Sequence, residues 1–239
     1  MGDAAHRVVH AEGVIHITLC RPEAGNKIAL PLLRELTHAL SAADADPQVR
    51  VVTLQAEGED FCLGRDNSGE KREGLSAHER YAQFIRPILD FYAAVEHCSV
   101  PVVSLVQGRA LGFGCALAAA CDVTLAADSA RFALPEILHG IPPTLAMSAL
   151  QPMVGRKALT HLVYSAREVD AFAAQRIGLV SHVVMADELQ SEASTLIAAM
   201  ASRPRAINAA VKEYARMDPA AGSATSRRMA GLLMAVVRS

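Results

Sequence analysis

Apolar residues recur along the chain in two rhythms, and the change from one to the other marks the elements. Val8-Val9 and Val14-Ile15-His16-Ile17-Thr18-Leu19 flank Glu12-Gly13, a turn pair between β-branched runs, which predicts a hairpin. Residues 21–26 are a turn-rich loop. Leu32, Leu33, Leu36 and Leu40 share one helical face within residues 30–43, behind Pro31, which suits a first turn. Residues 49–54 read as strand, 78–96 as helix, and the apolar run at 101–106 as a buried strand. Residues 112–120 are small and apolar, as in a tightly packed buried helix. Short strands are predicted at 122–126 and 132–134. From Thr144 onward the pattern is helical, apart from a strand at 179–184. This order predicts a mixed α/β fold, built from repeats and followed by a C-terminal helical region.

Composition narrows the class. The 239 residues are 51% hydrophobic and 20% charged, enough for one full domain with a sizeable core. Trp is absent and aromatics are few, so that core must be built from Ala, Leu, Val and Ile. A net charge of −2, with Arg227-Arg228 as its one short basic run, gives no electrostatic footprint for nucleic acid or an anionic membrane. Cys20, Cys62, Cys98, Cys115 and Cys121 lack CxxC spacing and read as free thiols in a reducing compartment. The first residues hold no apolar stretch of a secretory leader, and polar residues or glycine interrupt every long apolar run. The expectation is a cytoplasmic protein with no membrane span and no metal site.

Two segments carry candidate chemistry, Phe61-Cys62-Leu63-Gly64-Arg65-Asp66 and Gln107-Gly108-Arg109-Ala110-Leu111-Gly112-Phe113-Gly114-Cys115-Ala116. Each follows a predicted strand and holds glycine where a backbone turns or approaches something closely. The second opens a helix, whose first N–H groups and dipole favour negative charge in front of it. Two such donors on one oxygen would form an oxyanion hole, worth about 3–4 kcal/mol per donor. Taken singly, each segment reads equally as an ordinary glycine turn of an α/β fold. Dinucleotide binding would require GxGxxG, whereas Gly108, Gly112 and Gly114 are spaced GxxxGxG. The phosphate-loop, serine-hydrolase and zinc-protease motifs do not occur.

The first segment resembles the F-C-A-G-x-D segment of the enoyl-CoA hydratase/isomerase (crotonase) family. The second, with Cys121-Asp122, is similar to that family's N-G-x-A-x-G-G-G-x…C-D segment. Arg21-Pro22-Glu23-Ala24-Gly25-Asn26 resembles its R-P-x-x-x-N loop. Residues 130–141, with Pro135-Glu136-Ile137, resemble its A-x-F-x-x-P-E-x-x-x-G-I stretch, and residues 174–184 its A-x-x-x-G-L-V-x-x-V-V segment. Five matches in order cover nearly the whole chain. The resemblance implies a crotonase-like spiral of ββα units over residues 1–197 and a C-terminal helical, oligomerising region over 198–239, assembled as a homotrimer or homohexamer. It implies an acyl-CoA thioester substrate whose coenzyme A is part of the substrate, with no separate cofactor. The oxyanion donors would be the N–H groups of Arg65 and Phe113. Substrate contacts would come from Asn26, Leu63, Arg65, Asp66, Asn67, Ser68 and Gly112.

The acids depart from the family pattern. Hydratases of the family carry one Glu two residues after the last glycine of the second segment and another in P-E-x; here these positions are Ala116 and Glu136. Adding water across an enoyl thioester is easiest with two carboxyls. Moving a double bond from C3 to C2 needs a single base, and the family's Δ3,Δ2-enoyl-CoA isomerases are similar in carrying an apolar residue at the position of Ala116. The expectation is therefore an isomerase-type proton shuttle by Glu136. The alternatives are hydration, dehydration or decarboxylation of another acyl thioester, or acyl-CoA binding without catalysis. In local sequence alone, Glu136 reads as a surface carboxylate paired with an arginine; His139 could donate a hydrogen bond or a proton but reads first as a structural histidine, and Tyr81 and Tyr92 could line the pocket but read first as packing residues. Asp66 reads as the brace of its own turn.

Overall fold

The computed structural model describes residues 5–217 and 223–237; the first four residues and parts of the expected 198–239 region lie outside them. The hairpin is β1 (His6–Ala11) and β2 (Val14–Leu19), paired antiparallel around Glu12-Gly13. Helix α1 (Leu30–Ala45) buries Leu32, Leu33, Leu36, Leu40 and Ala43, the face that its spacing predicts. Then follow β3 (Val51–Ala56), α2 (Ala77–Arg80), α3 (Arg86–His97), β4 (Val102–Val106), β5 (Arg109–Leu111), α4 (Phe113–Ala120), β6 (Val123–Ala127) and β7 (Arg131–Ala133). The C-terminal part holds α5 (Thr144–Leu150), α6 (Arg156–Ser165), β8 (Val169–Asp170), α7 (Ala171–Arg176), β9 (His182–Val184), α8 (Leu189–Ala201), α9 (Arg205–Ala215) and α10 (Ser223–Val237).

A six-stranded sheet has the order β1-β2-β3-β4-β6-β9, parallel except for the hairpin, and a smaller sheet has the order β5-β7-β8. Each turn of the chain places one strand in the large sheet and the next in the small one: β4 then β5, β6 then β7. β4 is buried on both faces. Val102 and Val106 join the main core, whereas Val103 and Leu105 join a second cluster against Leu189, Ala193, Ile197 and Met200 of α8. Helix α8 thus covers the outer face of the sheet, and the expected division after residue 197 falls inside it.

One reading is corrected, one is refined and two strands are added. The helix at 78–96 forms, with a wide π turn at Tyr81–Ile85 ending two residues before Pro87, whose ring nitrogen cannot donate to the preceding turn. The strand at 179–184 shortens to β9, because Leu179 and Val180 are still rounding the turn after Gly178 and only 182–184 pair with β6. β5 and β8, of three and two residues, are too short to leave a period in the sequence. No described helix is long and apolar enough to cross a membrane.

Candidate functional site

The two glycine segments lie side by side. Phe61 N–H donates to Gln107 O, Cys62 N–H to Arg109 O and Leu111 N–H to Cys62 O, in parallel pairing with Cys62 opposite Ala110. Arg65 lies three residues past Cys62 and Phe113 three past Ala110, and both residues line one cleft. On its other side Arg65 is bracketed by Ile28, which donates to Gly64 O and accepts from Asp66 N–H. In such a ladder the N–H of the bracketed residue faces away from its partner, here away from Ile28. Phe113 is the first residue of α4, where N–H groups have no intrahelical acceptor. Among the described residues, neither N–H has a hydrogen-bond partner. Gly114 makes the close approach possible, since a Cβ there would lie 2.1 Å from Cys62 O.

Glu136 comes to the same place from the turn after β7. It lies in a one-turn 3-10 helix, Pro135–His139, closed by Gly140 in the left-handed region and anchored where Gly112 N–H donates to Ala133 O at 2.8 Å. Its carboxylate lies directly over Gly112. A Cβ there would stand 2.8 Å from Glu136 Oε1, and Gly112 itself has φ +54°. Glu136 Oε2 is buried and has no hydrogen-bond partner. Burial pushes the Glu136 carboxyl above the ordinary carboxylate range; a hydrogen bond from its own backbone and nearby His139 hold it back in part. Among the described residues, no arginine partners it.

These groups line a cleft of about 380 Å³. Leu63, Phe84, Ile85, Ile88, Leu145 and Ala146 supply apolar wall, and Ile141, Pro142 and Pro143 close one side. Phe113 narrows the inner end. Its ring packs against Phe91 at 6.0 Å and stacks on Tyr92 at 5.9 Å, 21° from parallel. Tyr92 both packs on Phe113 and lines the cleft, and its hydroxyl is buried and without a partner among the described residues. Tyr81 is exposed and does not line the cleft.

The mouth is basic, with Lys27, Arg65, Arg72 and His139. Arg65 donates to Ile28 O at 2.8 Å and to Glu70, and Arg72 reaches the other oxygen of Glu70 while lying 5.0 Å over the Phe84 ring. Glu70 and Arg72 sit in an irregular loop with no pattern to reveal them in the sequence.

Of the expected contact residues, Leu63, Arg65, Asn67 and Gly112 line the cleft and three do not. Asn26 is a structural brace: only 2% exposed, it accepts from Arg21 N–H and spends both N–H donors on Glu57 O and Asp60 O, so its amide is enclosed away from the cleft. Asp66 accepts from Ser68 N–H and the Ser68 hydroxyl, holding its own turn, and these bonds set its carboxyl below the usual range. Ser68 is the other half of that turn. Ala116 is fully buried in α4, and Glu136 is the one carboxylate lining the cleft among the described residues.

The model of one family, enoyl-CoA hydratase/isomerase, matches residues 10–231. The chain belongs to this family. It is 34% identical over 233 residues to the 2,3-dehydroadipyl-CoA hydratase of Escherichia coli (strain K12), covering 95% of this chain and 89% of that protein. The crystal structure of an enoyl-CoA hydratase from Mycobacterium smegmatis superposes with a TM-score of 0.89 at 31% identity, over 98% of this chain and 91% of that one. A protein from Thermobifida fusca YX, solved in complex with CoA, superposes with a TM-score of 0.86 at 25% identity, over 98% and 92%. The mixed α/β architecture with its helical C-terminal region is thus the fold of the hydratase/isomerase family.

Proposed function

We propose that this family member adds water reversibly to a 2-enoyl-coenzyme A thioester, through an enolate. The observation that carries the reading is the Glu136 carboxylate, lodged over Gly112 beside two free backbone N–H groups, with one oxygen buried and unpaired. The thioester oxygen accepts from the N–H groups of Arg65 and Phe113, which stabilises the enolate by about 3–4 kcal/mol per donor. Glu136 takes a proton from water as its oxygen bonds to C3, and returns that proton to C2. Its raised pKa suits both halves of the exchange. Leu63, Arg65 and Asn67 line the path of the coenzyme A moiety, with Asp66 and Ser68 shaping that loop. The CoA complex of the Thermobifida fusca relative and the hydratase names of the relatives support this choice.

A second reading, isomerisation of a 3-enoyl thioester, is favoured by Ala116, which leaves Glu136 as the sole carboxylate lining the cleft among the described residues. Parallel assays of crotonyl-CoA hydration and 3-hexenoyl-CoA isomerisation separate the two, and hydration is expected to be the faster. Isomerisation without hydration would establish the second reading. Turnover of neither, with coenzyme A still bound, would leave a non-catalytic binder. A trimeric or hexameric assembly belongs to the same proposal, and light scattering on the purified protein tests it.

A further inference from the structure

The family's usual second acid is absent at Ala116, yet a second residue with a polar side-chain atom left unpaired, Tyr92, lines the cleft beside Glu136. Three buried side-chain polar atoms lack a hydrogen-bond partner among the described residues, and two of them, Tyr92 Oη and Glu136 Oε2, belong to residues lining this one cleft. A buried hydroxyl and a buried carboxylate oxygen each lose free energy when unpaired, so two in one cleft call for a shared explanation. They flank the same short stretch of backbone: the Tyr92 ring stacks on Phe113, and the Glu136 carboxylate lies over Gly112. Ile88 and Tyr92, four residues apart on α3, turn one helical face to the cleft, while Phe91 and Val95 hold the helix in the core.

Resting on the reading of the cleft as an acyl-thioester site, we infer that Tyr92 and Glu136 together hold one oxygen at C3 of the acyl group: the water that adds to the enoyl thioester or, in reverse, the hydroxyl of a 3-hydroxyacyl thioester. Burial and the nearby Glu136 charge raise the pKa of the Tyr92 phenol, so it stays protonated through the reaction and serves as a hydrogen-bond donor, not a proton carrier. Going forward, one water O–H bond breaks, its proton passes to Glu136, and the oxygen bonds to C3. The C2–C3 π pair moves onto the thioester as the enolate. The enolate then takes the proton back from Glu136 at C2, leaving the carboxylate and the phenol as they began. Tyr92 thus orients the water that a second carboxylate orients elsewhere in the family.

Calorimetric binding of 3-hydroxybutyryl-CoA and butyryl-CoA to the whole protein and to Tyr92→Phe tests this directly. The wild type is expected to prefer the hydroxylated thioester by about fivefold to thirtyfold, the range for one buried hydroxyl's hydrogen bonds. Tyr92→Phe should lose that preference while binding butyryl-CoA as before, and its crotonyl-CoA hydration should fall about tenfold to a hundredfold, the worth of one hydrogen bond to an oxygen that develops charge. A loss of packing would weaken both ligands equally and leave no such difference. If Tyr92→Phe does not fold, Tyr92→Leu serves in its place. Equal affinities in the wild type, or a preference that survives in the variant, would overturn the assignment. Binding of neither thioester would instead remove the acyl-thioester reading itself, and the assignment with it.

Discussion

Neutralising Glu136 should move activity and stability in opposite directions. Glu136→Gln keeps the size and shape of the side chain, so the turn at Pro135–His139 and the contact over Gly112 survive, and only the charge is lost. Positioned general acid–base groups contribute about 10²–10⁴ in rate. No other carboxylate lines the cleft among the described residues, so no group can take over and the loss should fall in the upper half of that range, about 10³–10⁴. At 1.36 kcal/mol per decade this corresponds to about 4–5 kcal/mol of transition-state stabilisation.

Stability should run the other way. The folded-state pKa of Glu136 is raised, so the folded protein holds its proton more tightly than the unfolded chain does. Between the unfolded carboxylate pKa and that raised value, stability therefore falls as pH rises, and above it the buried charge is a standing cost. Glu136→Gln removes that cost. Its melting temperature should exceed the wild type's near neutral pH, and the advantage should vanish as the pH is lowered through the raised pKa. Loss of the enoyl-thioester absorbance gives the rate, and thermal melts from pH 4 to pH 8 give the stability. Wild-type hydration itself should decline on the acid side with an apparent pKa above the ordinary value for Glu, since the carboxylate must be free to accept a proton. A variant as active as the wild type, or one that melts lower at neutral pH, would refute the reasoning; the latter would mean that Glu136 serves a structural pair.

Two further substitutions test the frame around the site. Gly112→Ala brings a Cβ within 2.8 Å of Glu136 Oε1 and forces φ +54° on a residue that disfavours it; kcat should fall at least about tenfold, with about 1–3 kcal/mol lost in urea unfolding, and an unchanged kcat would show that the carboxylate does not work from this position. Lys212→Ala in α9 removes a buried ammonium that donates to Asp122 Oδ2 at 2.7 Å, Val95 O at 2.8 Å and Val100 O at 3.3 Å. Urea unfolding should show a loss of about 2–3 kcal/mol, less than for a fully enclosed pair because Asp122 keeps some contact with solvent; a loss below about 0.5 kcal/mol would mean that α9 is not held through this pair.

The elements legible along the chain are those whose form neighbouring residues settle among themselves. The leucine face of α1, the hairpin at Glu12-Gly13 and the continuous apolar run of β4 are local patterns, and all three formed as their spacing predicts. The glycines at 64, 112 and 114 marked a left-handed turn, a close approach of the Glu136 carboxylate and a close approach of backbone at Cys62 O, places where a Cβ is strained or crowded. What they approach was decided in three dimensions. Asn26 looked available to a ligand until three backbone partners, two of them more than thirty residues away, claimed its amide. Tyr92 was legible as a packing or a pocket residue, and only the path of α3 set it in the lining of the cleft that holds Glu136, with its hydroxyl buried. The Glu70 clasp on Arg65 and Arg72 lies in a loop with no periodicity to read. Hydrogen-bond partners and burial depend on which segments meet, and in a sheet that alternates between two layers those segments are far apart in the chain. The types of residue needed for enolate chemistry are therefore written locally, whereas their pairing, their desolvation and the second polar group beside Glu136 exist only once the spiral has closed.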